Sequence, residues 1–211
     1  GKFNVIAQGL RQPGSAIKPV TYLTGLKKGY TASTMIMDVE TVFPIKGQPN
    51  YVPVNYDGSF HGPIQVRYAL GNSINVPAVK MLAMVGLESM LETAQQMGMS
   101  TLAPTKENLT RLGLSTTLGG GDVVPLELAS AYQAFANGGT KREPVSILKV
   151  EDKEGKVIFE HKNVSGTKVL SPGEAFVISH ILADNGARAM TFGQSSGLVI
   201  PGREVAVKTG T

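Results

Sequence analysis

A mixed fold of helices and short strands, α+β in class, is predicted by three features of the sequence. Apolar residues recur at helical spacing in several segments, one pair of segments alternates apolar and polar residues around a turn, and Gly- and Pro-rich stretches separate them. Pro13-Gly14 opens the first main helix, in which Ile17, Val20, Tyr22 and Leu23 recur near the helical period. Pro19 disfavours helical geometry at Lys18, so pattern rules alone end this helix there. Thr31 to Pro63 reads as a long irregular connection with one strand-like run, Met35 to Val42, and a connection of that length is often functional.

Helices are expected at Ile64 to Leu70, Val76 to Val85 and Glu88 to Met97, with Met81, Met84, Met90 and Met97 as core fillers. Leu128, Tyr132 and Phe135 form an i, i+4, i+7 stripe that Asn137-Gly138-Gly139 stops. Val145 to Glu151 and Lys156 to His161 read as a hairpin. Ser171-Pro172-Gly173-Glu174 is a capping box, starting a helix to about Asp184 that turns Ile178, Ile181 and Leu182 inward.

The 211 residues suit one domain, and 42% hydrophobic with 17% charged residues is the composition of a folded chain. A net charge of +4, spread along the sequence, suits an anionic envelope but forms no basic stripe with interleaved aromatics, which argues against nucleic-acid binding. The absence of cysteine removes disulfides, thiolate nucleophiles and Cys-based zinc sites. His61, His161 and His180 lack paired metal-ligand spacing, and no metal or other cofactor is expected. A Ser-His-Asp triad is open on spacing, but nothing marks a histidine as its base. Gly119-Gly120-Gly121 lacks the following Lys-Ser/Thr of a phosphate loop and reads as a tight turn. Gly1 to Leu10 shows no basic-then-apolar signal pattern, and no apolar run reaches the length of a membrane span.

Ser15-Ala16-Ile17-Lys18 carries the chemistry. It places a hydroxyl and an amine on one helix face, and a serine next to a neutral lysine is a plausible acyl-transfer nucleophile. Alone the pattern is common. Ser73-Ile74-Asn75 and Lys208-Thr209-Gly210 follow in order, and Ser-x-x-Lys, a Ser-x-Asn element and Lys-Thr-Gly together mark the serine β-lactamases and penicillin-binding proteins. Isoleucine at position 74 departs from the lactamase element and favours the penicillin-binding side.

The surroundings extend the match. Arg11 to Pro19 (RQPGSAIKP), Asn55 to Gly58 (NYDG), Tyr68 to Val79 (YALGNSINVPAV) and Leu118 to Gly139 (LGGGDVVPLELASAYQAFANGG) resemble the transpeptidase domain of bifunctional, class A penicillin-binding proteins, from about Gly9 to Thr211. The resemblance implies an antiparallel sheet flanked by helices, with the first helix continuing through Pro19. It also implies that residues 1–211 form part of that domain, truncated at both ends. The Val205 to Thr209 strand would then lack the strands and helix expected after Thr211 and be left as an unpaired edge.

The resemblance further implies D,D-transpeptidation of peptidoglycan. Ser15 would be the nucleophile and Lys18 the base, held neutral by burial and by Lys208. Ser73 would relay a proton to the leaving nitrogen, and Asn75 would fix substrate and Lys18. Lys208, Thr209, Gly210 and Thr211 would bind the terminal carboxylate, with the N–H groups of Ser15 and Thr211 as oxyanion hole. Partners would be a stem peptide ending in D-alanyl-D-alanine, the amine of a second stem peptide, and β-lactams. The parent protein would carry a membrane anchor and a glycosyltransferase domain, placing this domain on the extracytoplasmic face of the bacterial cytoplasmic membrane. Two alternatives stay open: a non-catalytic or β-lactam-sensing domain of the same fold, and a serine β-lactamase with Glu107 as the nearest candidate water activator.

Overall fold

The computed structural model describes residues 2–45, 47–162 and 165–211. Gly1 and Lys46, included in the sequence readings of 1–10 and 31–63, lie outside the described residues. After a single turn, α1 (Val5–Gln8), a 3-10 turn over Gly14–Ile17 runs directly into α2 (Lys18–Lys27). Helix α2 is the axis of the molecule: every residue from Lys18 to Gly25 is buried. Pro19 ends nothing, because it occupies the first turn, where helical N–H groups have no intrahelical acceptor to lose. Lys18 stays helical at φ −53°, ψ −39° despite the proline after it.

Strand β1 (Met35–Asp38) pairs antiparallel with β2 (Gly62–Gln65), Ile36 opposite Ile64. Ile64 and Gln65 therefore belong to a strand, and the helix expected from Ile64 begins at Val66 as α3 (Val66–Gly71). Helices α4 (Asn75–Val85) and α5 (Leu87–Gln96) pack against α2. A Cβ on Gly25 would sit 2.7 Å from Met81 Sδ, so α2 and α4 approach at a distance that admits only glycine without displacing that side chain. Met81, Met90 and Met97 are buried as expected, but Met84 is 45% exposed. The buried stripe of α4 follows residues 78, 81, 82 and 85, which turns Met84 outward.

Helix α6 (Lys106–Arg111) and a 3-10 turn at Leu114–Leu118 lead into α7 (Pro125–Ala136), which carries the Leu128, Tyr132 and Phe135 stripe. Strand β3 (Thr140–Lys141) follows, then the hairpin β4 (Lys149–Glu151) and β5 (Val157–Glu160), shorter than its alternation suggests and exposed on both faces, then β6 (Thr167–Lys168) beside β3. Helix α8 (Pro172–Ala183) buries Ile178, Ile181 and Leu182, and α9 (Ala189–Phe192) is a single turn. The Ser171–Glu174 capping box is formed in both directions. Replacing Ser171 by alanine is expected to lower stability by about 1 kcal/mol, read as a shift of the urea midpoint.

Among the described residues the strands form three separate two-stranded antiparallel ribbons, and helices supply most of the core. Val205 to Thr209 is not a strand. A strand requires a ladder of backbone bonds, and this segment has one such bond, Val207 N–H to Leu182 O at 2.9 Å.

Candidate active site

Six stretches of chain meet at one cleft of about 560 Å³: the start of the helical run at Ser15, the loop at Tyr56, the loop between α3 and α4, the end of the 3-10 turn at Leu118, the segment around α9, and Thr209–Thr211. The cleft wall includes Ser15, Ser73, Asn75, Thr209, Gly210 and Thr211. Lys18, three residues after Ser15, is fully buried beneath it. Its Nζ lies within hydrogen-bonding distance of the carbonyl oxygen of Ser73, of Asn75 Oδ1 at 2.7 Å and of Ser73 Oγ at 3.3 Å. Lys208 Nζ approaches Ser73 Oγ from the other side at 2.7 Å and also donates to Thr209 O at 2.9 Å. Ser73 thus lies between two amines. No hydrogen bond joins Ser15 Oγ to Lys18 among the described residues, and their relation is one of shared helical face.

Burial, then the Lys208 charge, pull the Lys18 amine down from its ordinary value to about 6, and burial pulls Lys208 down to about 7. The carbonyl acceptors around Lys18 favour its charged form, but dehydration of a fully buried ammonium outweighs them. Near neutrality Lys18 is therefore a free base beside a hydroxyl.

Ser73 is the one non-glycine residue with positive φ, +60°, among those described. Such a backbone costs on the order of 1–3 kcal/mol and persists only where neighbours fix it. Here Ser73 N–H bonds Leu70 O at 3.1 Å, Ile74 N–H bonds Ala69 O at 2.9 Å, and Lys18 holds the Ser73 carbonyl. The strain aims the hydroxyl at the amines.

Two glycines set the spacing of the cleft floor. A Cβ on Gly14, φ +53°, would lie 2.0 Å from Thr211 O, and one on Gly119, φ +99°, would lie 2.4 Å from Gly14 N. Backbone therefore stacks on backbone from Gly119 through Gly14 to Thr211, which puts Thr211 beside Ser15 and accounts for the start of the triple-glycine run as a tight turn. From the opposite side Tyr132 Oη donates to Ala16 O at 2.7 Å, bracing the serine turn from α7.

Tyr56, Asn72, Leu118, Thr191 and Phe192 also line the cleft and were not singled out by sequence reasoning. Asn72 ties the loop to the α9 segment, donating to Ala187 O at 2.7 Å and accepting from Thr191 N–H at 2.8 Å. Tyr56 lies in the quoted NYDG run; nothing in the pattern around Thr191 and Phe192 marks them. Glu107, weighed as a water activator, sits on α6 away from this wall. His61 has a carboxylate partner, Asp38, at 2.7 Å, but its second ring nitrogen faces Asp57 at 3.3 Å rather than a hydroxyl, which removes it as a triad base.

A Ser-x-x-Lys element with its serine at the wall and its lysine buried beneath, a strained Ser-x-Asn loop and a Lys-Thr-Gly segment around one cleft define a serine acyl-transfer fold of the penicillin-recognising kind. Residues 3–211 match the family described as the penicillin binding protein transpeptidase domain, and the chain belongs to that family. Penicillin-binding protein 1A of Aquifex aeolicus (strain VF5) is 43% identical over 162 residues, 76% of this chain and 21% of that protein. Its namesake from Neisseria lactamica is 34% identical over 217 residues, 99% of this chain and 26% of that protein. The chain thus spans about a quarter of the length of these relatives. The crystal structure of penicillin-binding protein 1A from Haemophilus influenzae superposes with a TM-score of 0.79 at 29% identity, covering 89% of this chain and 31% of that one. Penicillin-binding protein A from M. tuberculosis, solved as an imipenem acyl-enzyme complex, shares the fold with a TM-score of 0.80 at 20% identity, over 98% of this chain and 49% of that one.

Proposed function

We propose that the cleft is a D,D-transpeptidase site that cross-links peptidoglycan stem peptides through an acyl-Ser15 intermediate and is acylated at the same serine by β-lactams. The observation that supports this most directly is the junction of two amines on one hydroxyl, the buried Lys18 at 3.3 Å and the half-buried Lys208 at 2.7 Å from Ser73 Oγ, beside Ser15. Ser15 Oγ attacks the carbonyl carbon of the penultimate D-alanine while Lys18 Nζ takes its proton. The C–N bond breaks, and the leaving D-alanine nitrogen receives a proton through Ser73, replenished from the lysine side. The amine of a second stem peptide then attacks the acyl-Ser15 ester, forming the new amide and returning the proton to Ser15. Lys208, when protonated, and Thr209, Gly210 and Thr211 hold the substrate carboxylate, and the N–H groups of Ser15 and Thr211 face the developing oxyanion.

The reading extends to the parent protein: residues 1–211 form one part of a transpeptidase domain, preceded by a glycosyltransferase domain and a membrane anchor, on the extracytoplasmic face of the bacterial cytoplasmic membrane. The names and lengths of the relatives support this. Among the described residues no helix is long and apolar enough to cross a membrane.

The test is incubation with a fluorescent penicillin, followed by intact-mass and peptide mass spectrometry. A long-lived adduct on Ser15 is expected; rapid release would favour a lactamase, and absence of any adduct from the full-length protein would defeat the catalytic reading. Gly14→Ala bears on the oxyanion geometry, because its Cβ must displace Thr211. Acylation of that variant should slow by about a hundredfold, the scale of a misplacement near 1 Å.

A further inference from the structure

The two residues just before Tyr56, Val54 and Asn55, grip Asn75 at two points. Asn75 Nδ2 donates to Val54 O at 2.9 Å, and Asn75 N–H donates to Asn55 Oδ1 at 3.0 Å. Asn55 Oδ1 also accepts from Val76 N–H at 3.1 Å. Helix α4 has no side-chain cap of its own, since Ile74 stands at the cap position. Asn55 supplies that cap from a distant loop and satisfies two of the helix's unpaired donors.

The Asn55 amide is itself fixed. It is buried, and its Nδ2 donates to both oxygens of Asp38 at 2.9 Å and to Ser59 O at 2.7 Å. Carboxylate and carbonyl oxygens only accept and backbone N–H groups only donate, so the amide has one permitted orientation. Asp38 is fully buried and is held in turn by the backbone N–H of His61 at 2.9 Å and by the His61 ring at 2.7 Å. The chain of contacts runs from β1 through Asn55 to Asn75 and ends on Lys18 Nζ, 2.7 Å from Asn75 Oδ1.

We infer that Asn55, held by Asp38, is a positioning residue for acyl transfer: by capping α4 it sets where Asn75 Oδ1 stands and hence where the Lys18 amine points. This rests on the transpeptidase reading for its rate prediction, but not for its structural one. The charged or titratable groups facing the chain of contacts are Lys208 across Ser73, and Asp38 and His61 behind Asn55, with Asp57 beyond the His61 ring.

The experiment measures three quantities on the full chain: penicillin acylation rate, thermal midpoint, and the titration of Lys18 Nζ by NMR of labelled lysine. Asn55→Ala should remain folded and acylate about 10- to 100-fold more slowly, the scale of a displaced catalytic group. Its Lys18 midpoint should move to lower pH, because the amine loses an acceptor that favours the charged form. A folded Asn55→Ala with an unchanged Lys18 midpoint and an acylation rate within twofold of the parent would overturn the inference, whatever its thermal midpoint. Where Asn55→Ala does not fold, the exchange Asp38→Asn with Asn55→Asp keeps an acceptor on the α4 N-terminus and a donor opposite it, and gives up the bond to Ser59 O. That variant should acylate within about tenfold of the parent, and a folded exchange variant slower than this overturns the inference. If the parent forms no Ser15 adduct, the proposed activity fails, while the Lys18 titration still decides the role of Asn55.

Discussion

Replacing Ser15 by alanine is expected to abolish the covalent penicillin adduct while leaving the fold intact. The side chain sits at the cleft wall in a 3-10 turn whose own buried members are Gly14 and Ile17, and alanine fits that turn. Among the described residues the other serine at these amines is Ser73, whose Oγ meets both, but its backbone is held at φ +60° and its hydroxyl is directed between them. Intact mass after exposure to penicillin should show the unmodified variant, with a thermal midpoint near that of the parent. An adduct of unchanged yield would move the nucleophile elsewhere.

Lys18→Met should reduce acylation by about a thousandfold or more, the range associated with loss of a general base. Methionine fills much of the same space, and although Ser73 O and Asn75 Oδ1 lose their buried donor, the proton-linked cost of burying a lysine near neutrality is removed with it, so the rate should fall without a matching loss of stability. The parent's acylation should rise as pH climbs through about 6, where Lys18 gives up its proton, and decline above about 7 as Lys208 loses the charge that attracts the carboxylate. Stability has its own pH signature. With the folded value of Lys18 near 6 and the unfolded value at 10.5, the unfolded chain binds more protons across that interval, so burial of Lys18 opposes folding fully below about 6 and ceases to by about 10.5. Stability therefore rises with pH through this window, and Lys18→Met should flatten the slope in melts from about pH 5 to about pH 9.

Local signals survived into the structure where the interaction they encode is local. The Ser171–Glu174 box needs only four consecutive residues, and it formed at the helix start that the pattern gives. Asn137-Gly138-Gly139 ended α7 for the same reason. The structure also brings the separated motifs at Ser15, Ser73 and Thr209 to one wall, an arrangement for which the family resemblance supplied the expectation. Pro19 shows a local rule outweighed: the bias it places on Lys18 is overcome when the whole first half of α2 is packed on every side.

What escaped depends on partners far away in sequence. Val205 to Thr209 has strand composition, but a strand is a paired object and the segment finds one backbone acceptor, on α8. Met84 has core composition, and the actual direction of the α4 stripe turned it outward. Asn55 was visible as part of NYDG, yet its role as a cap depends on α4 lying across it, which no spacing within that run reveals. Thr191 and Phe192 enter the cleft because Asn72 tethers their segment, a contact between residues more than a hundred positions apart.

The stacking of Gly119, Gly14 and Thr211 backbones couples the cleft to a late folding event. Loop closure over long stretches of sequence carries an entropic cost that no neighbouring contact repays in advance, so this junction should form only when most of the helical core already exists. A partly folded molecule would have its serine and lysine on a nascent helix and still lack the Thr211 backbone opposite them. Recovery of penicillin binding after dilution from denaturant should accordingly lag behind recovery of helical circular dichroism, which makes the antibiotic a clock for the final step of assembly.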